Sequence, residues 1–159
     1  MIKQRTSFLF RQLIACLICG VLFLGNLELQ AAKVPMSPKE LEKESSHIVS
    51  GKVISVTTTV QKSKIERSLG LHRDKVYTIK LKVESVSKGT GVKVGQEILI
   101  EAWKPSTRIP SVPGLQGHEP VSGKGDMVKM YLLKNKKEKA YQPLLPNGIV
   151  IINKTKKVK

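Results

Sequence analysis

"SSHIVSGKVISVTTTV", residues 45–60, alternates as a β-strand does but changes its buried face partway along. Its small and apolar residues form two sets of opposite parity, namely Val49, Gly51 and Val53, then Ile54, Val56 and Val60. Successive side chains of a strand point to opposite faces, so one inserted residue moves every later side chain to the other face. The pattern predicts a bulge or glycine kink between Val53 and Ile54, in a long first strand that bends to serve both halves of a small barrel.

Four further segments have strand character. "VYTIKLKVESVSKG" (76–89) alternates cleanly, with Tyr77, Ile79, Leu81 and Val83 on one face, which is the pattern of a half-buried strand. The others are "QEILIEAW" (96–103), "MVKMYLL" (127–133) and "PLLPNGIVII" (143–152). The two prolines of the last segment confine its first half to an edge or a loop. Residues 61–75 and 104–126 are predicted to be connections, the second rich in proline and glycine.

A short helix precedes these strands. Ser37 is followed by Pro38 and, three residues after the serine, by Glu40, which is the arrangement of a capping box with the favoured first-turn proline. The helix is predicted to run from Pro38 to about Glu44. The predicted fold is therefore mainly β, a five-stranded antiparallel barrel with a short N-terminal helix.

The beginning of the chain is predicted to be a secretory signal peptide, residues 1–31. Lys3, Arg5 and Arg11 give it a basic start, and residues 13–25 are an uncharged apolar run. Small residues at Ala31 and Ala32 mark the predicted cleavage site. A membrane anchor is the alternative, but the uncharged core has 13 residues and a spanning helix needs about 20. The predicted location is secreted or periplasmic. Contact with a membrane is predicted only for the signal peptide itself.

Both cysteines lie in the apolar run. Cys16 and Cys19 have the C-x-x-C spacing of redox and zinc sites, but no second pair accompanies them and the segment is predicted to be removed. "LIAC" has some likeness to a bacterial lipid-attachment motif, but the apolar segment between Arg11 and Cys16 is too short for that motif. A cut near Ala31 leaves a chain without cysteine. That chain divides into a segment with the helix (32–46), the barrel (47–153) and a basic tail (154–159).

The predicted mature chain is strongly basic. The full sequence has 28 Lys and Arg against 12 Asp and Glu, and residues 1–31 hold three of the former and one of the latter, so 25 against 11 remain and the net charge is +14. Two lysine clusters are candidate polyanion contacts, namely Lys134, Lys136, Lys137 and Lys139, and Lys154, Lys156, Lys157 and Lys159. The alternative is that these lysines are simply solvated and keep the protein soluble.

Four stretches together resemble a known family. "HIVSGKVISV", "YTIKLKVESVSKG", "GQEILIEAW" and "GDMVKMYLL" resemble oligonucleotide/oligosaccharide-binding (OB) barrels of the tissue-inhibitor-of-metalloproteinase-like (TIMP-like, netrin-module-like) type. The likeness covers about residues 45–152. It implies an OB-like barrel and, as one possible activity, protease inhibition through the N-terminal segment. Animal inhibitors of this type chelate the protease zinc with an N-terminal cysteine, whereas this chain would begin at Ala32.

No catalytic constellation is evident. His47, His72 and His118 have no metal-ligand spacing and no acidic cluster beside them. "GHEPVSGKG" (117–125) has the wrong spacing for a phosphate-binding loop and lacks its Ser or Thr. The sequence predicts a protein that is not an enzyme and has no cofactor or metal.

Trp103 and Arg108 are the candidate anchor of the long loop. Nucleic-acid binding would need exposed aromatic side chains among basic ones, and Trp103 is the one plausible candidate, although packing at the core edge is favoured for it. Nucleic acid is therefore the third hypothesis. The first is a non-catalytic binding module for a polyanion, cell-envelope or protein partner, and the second is the inhibitor. The sequence leaves the oligomeric state open.

Overall fold

A computed structural model of the protein describes residues 34–63, 70–111, 114, 116–134 and 140–154. The elements are helix α1 (Pro38–Glu44) and strands β1 (His47–Lys62), β2 (Leu71–Lys88), β3 (Glu97–Ile109), β4 (Met127–Lys134), β5 (Tyr141–Pro143) and β6 (Ile149–Asn153). The mainly β fold with one short helix is thus confirmed for these residues. The predicted signal peptide and the lysines at 136, 137, 139, 156, 157 and 159 lie outside them.

Five strands close into a ring. The order is β1, β2, β3, β5, β4 and back to β1, and β6 lies beside β4 on the same edge as β5. Two parts of the strand prediction are wrong. The pair β3–β5 is parallel, joined at Ile100 and Tyr141, and the predicted fifth strand is divided into β5 and β6. A turn divides it, because the Gly148 amide donates to the Leu144 carbonyl at 2.8 Å and so closes residues 144–148 on themselves.

The first strand changes face as its sequence predicts. Val53 pairs with Leu81 while Ser55 pairs with Lys80, so Ile54 is the extra residue of a bulge. Two further register shifts lie between Ile48 and Val49 and between Ser50 and Gly51. Before the bulge Val49 and Val53 are buried in the core, and beyond it Val56 packs against the same core from the other parity. Val60 does not follow, since it lies on an exposed end of the strand.

The interior of the ring is filled by the predicted apolar faces. Ile79, Leu81 and Ile100 are completely buried, together with inward residues of β1 and β4. On β3 the inward set is Ile98, Ile100 and Ala102, which settles the face that alternation alone left open. Burial at roughly 25 cal/mol per Å² of apolar surface makes this cluster the main source of stability.

Helix α1 packs on the outside of the ring. Its one buried residue, Leu41, joins Ile48, Tyr131 and Leu144 in a second, smaller apolar cluster. The capping box is confirmed, since the Glu40 amide donates to Ser37 Oγ and the Ser37 amide donates to Glu40 Oε2. Hydrogen bonding to the Ser37 backbone amide, and then to the Ser37 hydroxyl, lowers the pKa of the Glu40 carboxyl. Within the described ranges, no helix has the length and apolar character needed to cross a bilayer.

The first three strands are longer than predicted. The sequence predicts connections at residues 61–62, 71–75 and 104–109. In the structure these residues extend the strands beyond the apolar core. Polar residues occupy both faces there, so the alternation of apolar and polar residues that marks a strand is missing. This extension places Arg108 in a strand and not in the long loop.

Candidate functional site

The two predicted lysine clusters begin at opposite ends of β4. Lys134 is the last residue of β4 and pairs with Tyr141 of β5. Lys154 follows Asn153, which pairs with Met127, the first residue of β4. A strand rises about 3.3 Å per residue, so the two ends of β4 are roughly 23 Å apart. The structure therefore does not bring Lys134 and Lys154 together.

Two lysines that the sequence analysis did not single out lie near Lys154. Lys52 of β1 is directly opposite Lys82 of β2, and both are exposed. On its other side Lys52 faces Met127, which in turn faces Asn153. One row across the four strands thus leads from Lys82 through Lys52 to the residue before Lys154. No sequence motif marks this pair, because the residues are 30 positions apart and meet only through strand register.

A fourth lysine belongs to the same end of the ring. The turn before β4 is fixed to β1, since the Gly125 amide donates to the Val53 carbonyl and the Val53 amide donates to the Asp126 carbonyl. Lys124 is exposed on this turn, and the turn is hydrogen-bonded to Val53, the residue after Lys52. We call Lys52, Lys82, Lys124 and Lys154 the basic end.

Acidic side chains offset little of this charge. None of the four lysines forms an ion pair within 4.0 Å with another residue that the structure describes. Glu97 is opposite Lys82, but its carboxylate is 3.2 Å from Lys80 Nζ. Glu84 is exposed on the outer side of β2. Like charges directly opposite each other across a strand pair destabilise it, so the Lys52–Lys82 pair carries a small cost that a bound anion would remove.

Arg108 is buried in a polar network. Its guanidinium forms an ion pair with Asp74 and donates to the Arg73 carbonyl at 2.6 Å and to Gln116 Oε1 at 2.9 Å. The Ser63 hydroxyl donates to the other Asp74 oxygen at 2.7 Å. The side chains of Arg108 and Asp74 are 8% and 11% exposed. In this structure Arg108 holds the extended strands together and is not available at the surface.

Trp103 is half-buried beside His118. Their rings meet edge to face at 6.3 Å between centroids. The Trp103 amide donates to His118 Nδ1 at 3.0 Å, and His118 Nε2 lies 3.0 Å from the Pro143 carbonyl oxygen. These contacts join β3 to β5 and give His118 a structural place. Gly117 has φ of 78°, and a side chain there would collide with the Trp103 backbone.

A cavity of about 270 Å³ lies next to Trp103. Its polar lining includes Gln61, Glu101 and Gln142, and its apolar lining includes Ala102 and Leu145. Asp74, Ser63 and His118 also reach it, but they are engaged in the bonds given above. Its volume is at the lower limit for a small-molecule site.

The remaining histidines do not form a catalytic group with the buried serine. Ser63 bonds the Asp74 carboxylate, and His47 is held by Ser46 Oγ and the Thr90 carbonyl. His72 is buried, and its Nδ1 has no hydrogen-bond partner in the described part of the chain. No group of three or more His, Cys, Asp or Glu side chains is placed to hold a metal ion within that part either.

Comparison with known proteins gives no relative. No family model matches the sequence, no curated protein matches it, and no solved structure matches the fold.

Proposed function

We propose that the protein is an exported, non-catalytic binding module that binds a polyanion at the basic end. The observation that carries the proposal is the register of β1 and β2, which places Lys52 opposite Lys82 in the row that leads to Lys154. Lys154 is also the first residue of the tail with lysines at 156, 157 and 159.

Lysine is suited to an extended anion of repeating charge. Its ammonium group is a hydrated point charge on a flexible stem and does not require the planar geometry that arginine gives. Binding of such a polymer is driven largely by the release of its counterions, so affinity falls steeply with salt. The net charge of +14 on residues 32–159 raises the rate of encounter with any polyanion.

The closed ring, with β1 paired to both β2 and β4, supports the further proposal of an OB-like barrel of TIMP-like type. Export rests on the predicted signal peptide. The exported protein is expected to begin near Ala32 and to lack a free thiol, which intact-mass analysis measures directly. Retention of Cys16, with or without a lipid, would contradict this processing.

The test of polyanion binding uses heparin as the probe and a titration at several salt concentrations. Replacing Lys52, Lys82 and Lys124 together by glutamine should weaken binding and reduce the salt dependence. With roughly 0.7–0.9 counterions released per neutralised charge, the slope of log K against log salt should fall by about 2. Salt-independent affinity would overturn the proposal.

A matched variant with the same loss of charge is the control. Lys39, Lys43 and Lys75 are exposed and lie on α1 and on the extended end of β2, and their replacement by glutamine should change the slope by less than about 1. An equal effect of the two triple variants would mean that diffuse net charge, and not the basic end, binds heparin. Loss of binding on Trp103→Ala with an intact fold would assign binding to the cavity beside Trp103.

One observation favours the inhibitor as a second candidate. The Met36 amide donates to Asn147 Oδ1 at 3.0 Å and Asn147 Nδ2 donates to the Met36 carbonyl at 2.8 Å, so the segment before α1 is clamped to the turn before β6. Val34 is exposed just before this clamp. The second candidate predicts inhibition of a protease that is lost when one residue is added before Ala32. Nucleic-acid binding has no such support, because all four aromatic side chains in the described part of the chain are buried or half-buried.

A further inference from the structure

Among the residues that the structure describes, one edge of the sheet is unpaired along β6. Strand β6 pairs with β4 alone, and no backbone hydrogen bond joins Ile149–Asn153 to any other described residue. Its sequence, "IVIIN", has no charged residue and no proline. Edge strands are usually protected from pairing with other chains by lysine, proline or a bulge. In β6 the extra residue Ile152 and the following Lys154 lie at its C-terminal end, and Ile149–Ile151 has none of these protections.

The direction of the free backbone groups follows from the ladder. The Tyr131 amide of β4 donates to the Gly148 carbonyl, so Tyr131 and, two residues before it, Lys129 turn their backbone groups toward β6. Lys129 pairs with Val150. Because alternate residues of a strand present their N–H and C=O groups to opposite edges, those of Ile149 and Ile151 face away from β4. Ile149 is 2% exposed, so the backbone groups of the partly exposed Ile151 are the ones that another strand could reach.

A groove runs beside this edge. It has a volume of about 600 Å³ and is lined by residues of β6 together with Pro120, Asn147 and Lys154. The outward side chains of Val150 and Ile152 are 42% and 61% exposed. An extended peptide lying in the groove would therefore find both unpaired backbone groups and apolar side chains to cover.

We infer that the free edge of β6 binds an extended acidic peptide as an added strand. Main-chain hydrogen bonds would give affinity, as in other cases of strand addition, and the alternate side chains of the peptide would give specificity. Charge decides the class of peptide, since Lys154 is the one charged side chain among the described residues that line the groove. Lys129, opposite Val150, is already paired with Glu42 at 4.0 Å and lies over the Tyr131 ring, so the positive charge at the edge is that of Lys154.

This inference goes beyond polyanion binding, with which it shares only Lys154. Heparin has no backbone amide and needs no strand edge, whereas a peptide strand needs the edge whatever the total charge. The two activities are therefore separated by probes that keep the charge of the peptide and change its backbone.

The probe is a nine-residue peptide of alternating glutamate and valine, with blocked ends. Two further versions carry backbone N-methyl groups, one on every glutamate and the other on every valine. In an added strand only one of the two sets of N–H groups faces β6, so one N-methylated version should lose at least tenfold in affinity while the other binds as the parent does. Fluorescence anisotropy of labelled peptides measures all three.

A variant of the protein tests the same backbone hydrogen bonds by changing β6 instead of the peptide. Ile151→Pro removes an N–H that faces the groove and leaves the Val150 bonds to β4, and residue 150 is already extended as a residue before proline should be. It should weaken peptide binding at least tenfold and leave heparin binding unchanged, with Ile151→Val as the matched control. The peptides on the unaltered protein keep the test decisive if Ile151→Pro fails to fold.

Three results would overturn the inference. Equal binding of the two N-methylated peptides would show that charge alone acts. Absence of peptide binding while heparin still binds would show that the edge is closed and would leave the proposed function standing. A protein dimer that Ile151→Pro converts to a monomer, without peptide binding, would assign the edge to a second copy of the chain.

Discussion

Arg108 offers the sharpest test of whether a residue expected in a binding loop is instead structural. The substitution Arg108→Met keeps much of the side-chain volume and removes the charge. The Asp74 carboxylate, whose side chain is 11% exposed, then keeps only the hydrogen bond from the Ser63 hydroxyl. Gln116 Oε1 also loses the hydrogen bond that it accepts from Arg108. Breaking a buried ion pair by removing one partner typically costs about 3–5 kcal/mol, because the other charge stays buried and uncompensated.

The assay is unfolding in urea, followed by a spectroscopic signal, with the midpoint and slope fitted together. Arg108→Met should lose about 3–5 kcal/mol of unfolding free energy. The double variant Asp74→Asn/Arg108→Met should be more stable than Arg108→Met alone, since the buried charge is gone. Lys104→Met is the control, because its ion-pair partner Glu119 is 61% exposed and the pair should be worth under about 1 kcal/mol.

Two results would contradict this expectation, namely a cost below about 1 kcal/mol for Arg108→Met and a further loss of stability on adding Asp74→Asn. Either result would mean that the guanidinium is not the partner on which the carboxylate depends. A stable Arg108→Met protein that has lost its ligand would restore Arg108 as a binding residue, which is the function first expected of it.

Two further substitutions test the ring itself. Gly51→Ala should destabilise the protein by several kcal/mol, because the new Cβ would lie about 3.0 Å from the Lys82 carbonyl carbon and still closer to its oxygen. Gly123→Ala is the control and should cost under about 1 kcal/mol, because its Cβ meets nothing nearer than 3.6 Å. Ile79→Ala should cost about 2–5 kcal/mol since its side chain is completely buried, and Lys80→Ala well under 1 kcal/mol. Urea midpoints that rank either pair in the opposite order would refute the register.

The parts of the fold that could be predicted depend on short-range chemistry. The α1 cap needs only Ser37, Pro38 and Glu40, which lie within one turn. The bulge at Ile54 can be deduced because a change of parity is visible within one strand. The burial of Ile79 follows from the period of two in β2, whereas on β3 the same period leaves open whether Ile100 or Leu99 faces inward.

The parts that could not be predicted depend on contacts between distant segments. The extended ends of β2 and β3 are stabilised by the Asp74–Arg108 ion pair, whose members are 34 positions apart and give no apolar pattern. The division of the last strand depends on the turn at Leu144–Gly148 and its contact with Tyr131. The Lys52–Lys82 pair likewise exists only through register, so counting lysine runs in the sequence finds the tail and misses the surface from which it starts.

The distance between the two lysine clusters limits what one ligand can do. Lys134 and Lys154 begin their clusters about 23 Å apart along β4, so a short anion that engages the basic end cannot also contact Lys134. The sequence alone gives the two clusters equal standing, but the strand order favours Lys154 and its neighbours, because Lys52, Lys82 and Lys124 are already there. For a short polyanion, the basic end is therefore the surface on which affinity should depend, and Lys134 should contribute only when the polymer is long enough to follow β4 from end to end.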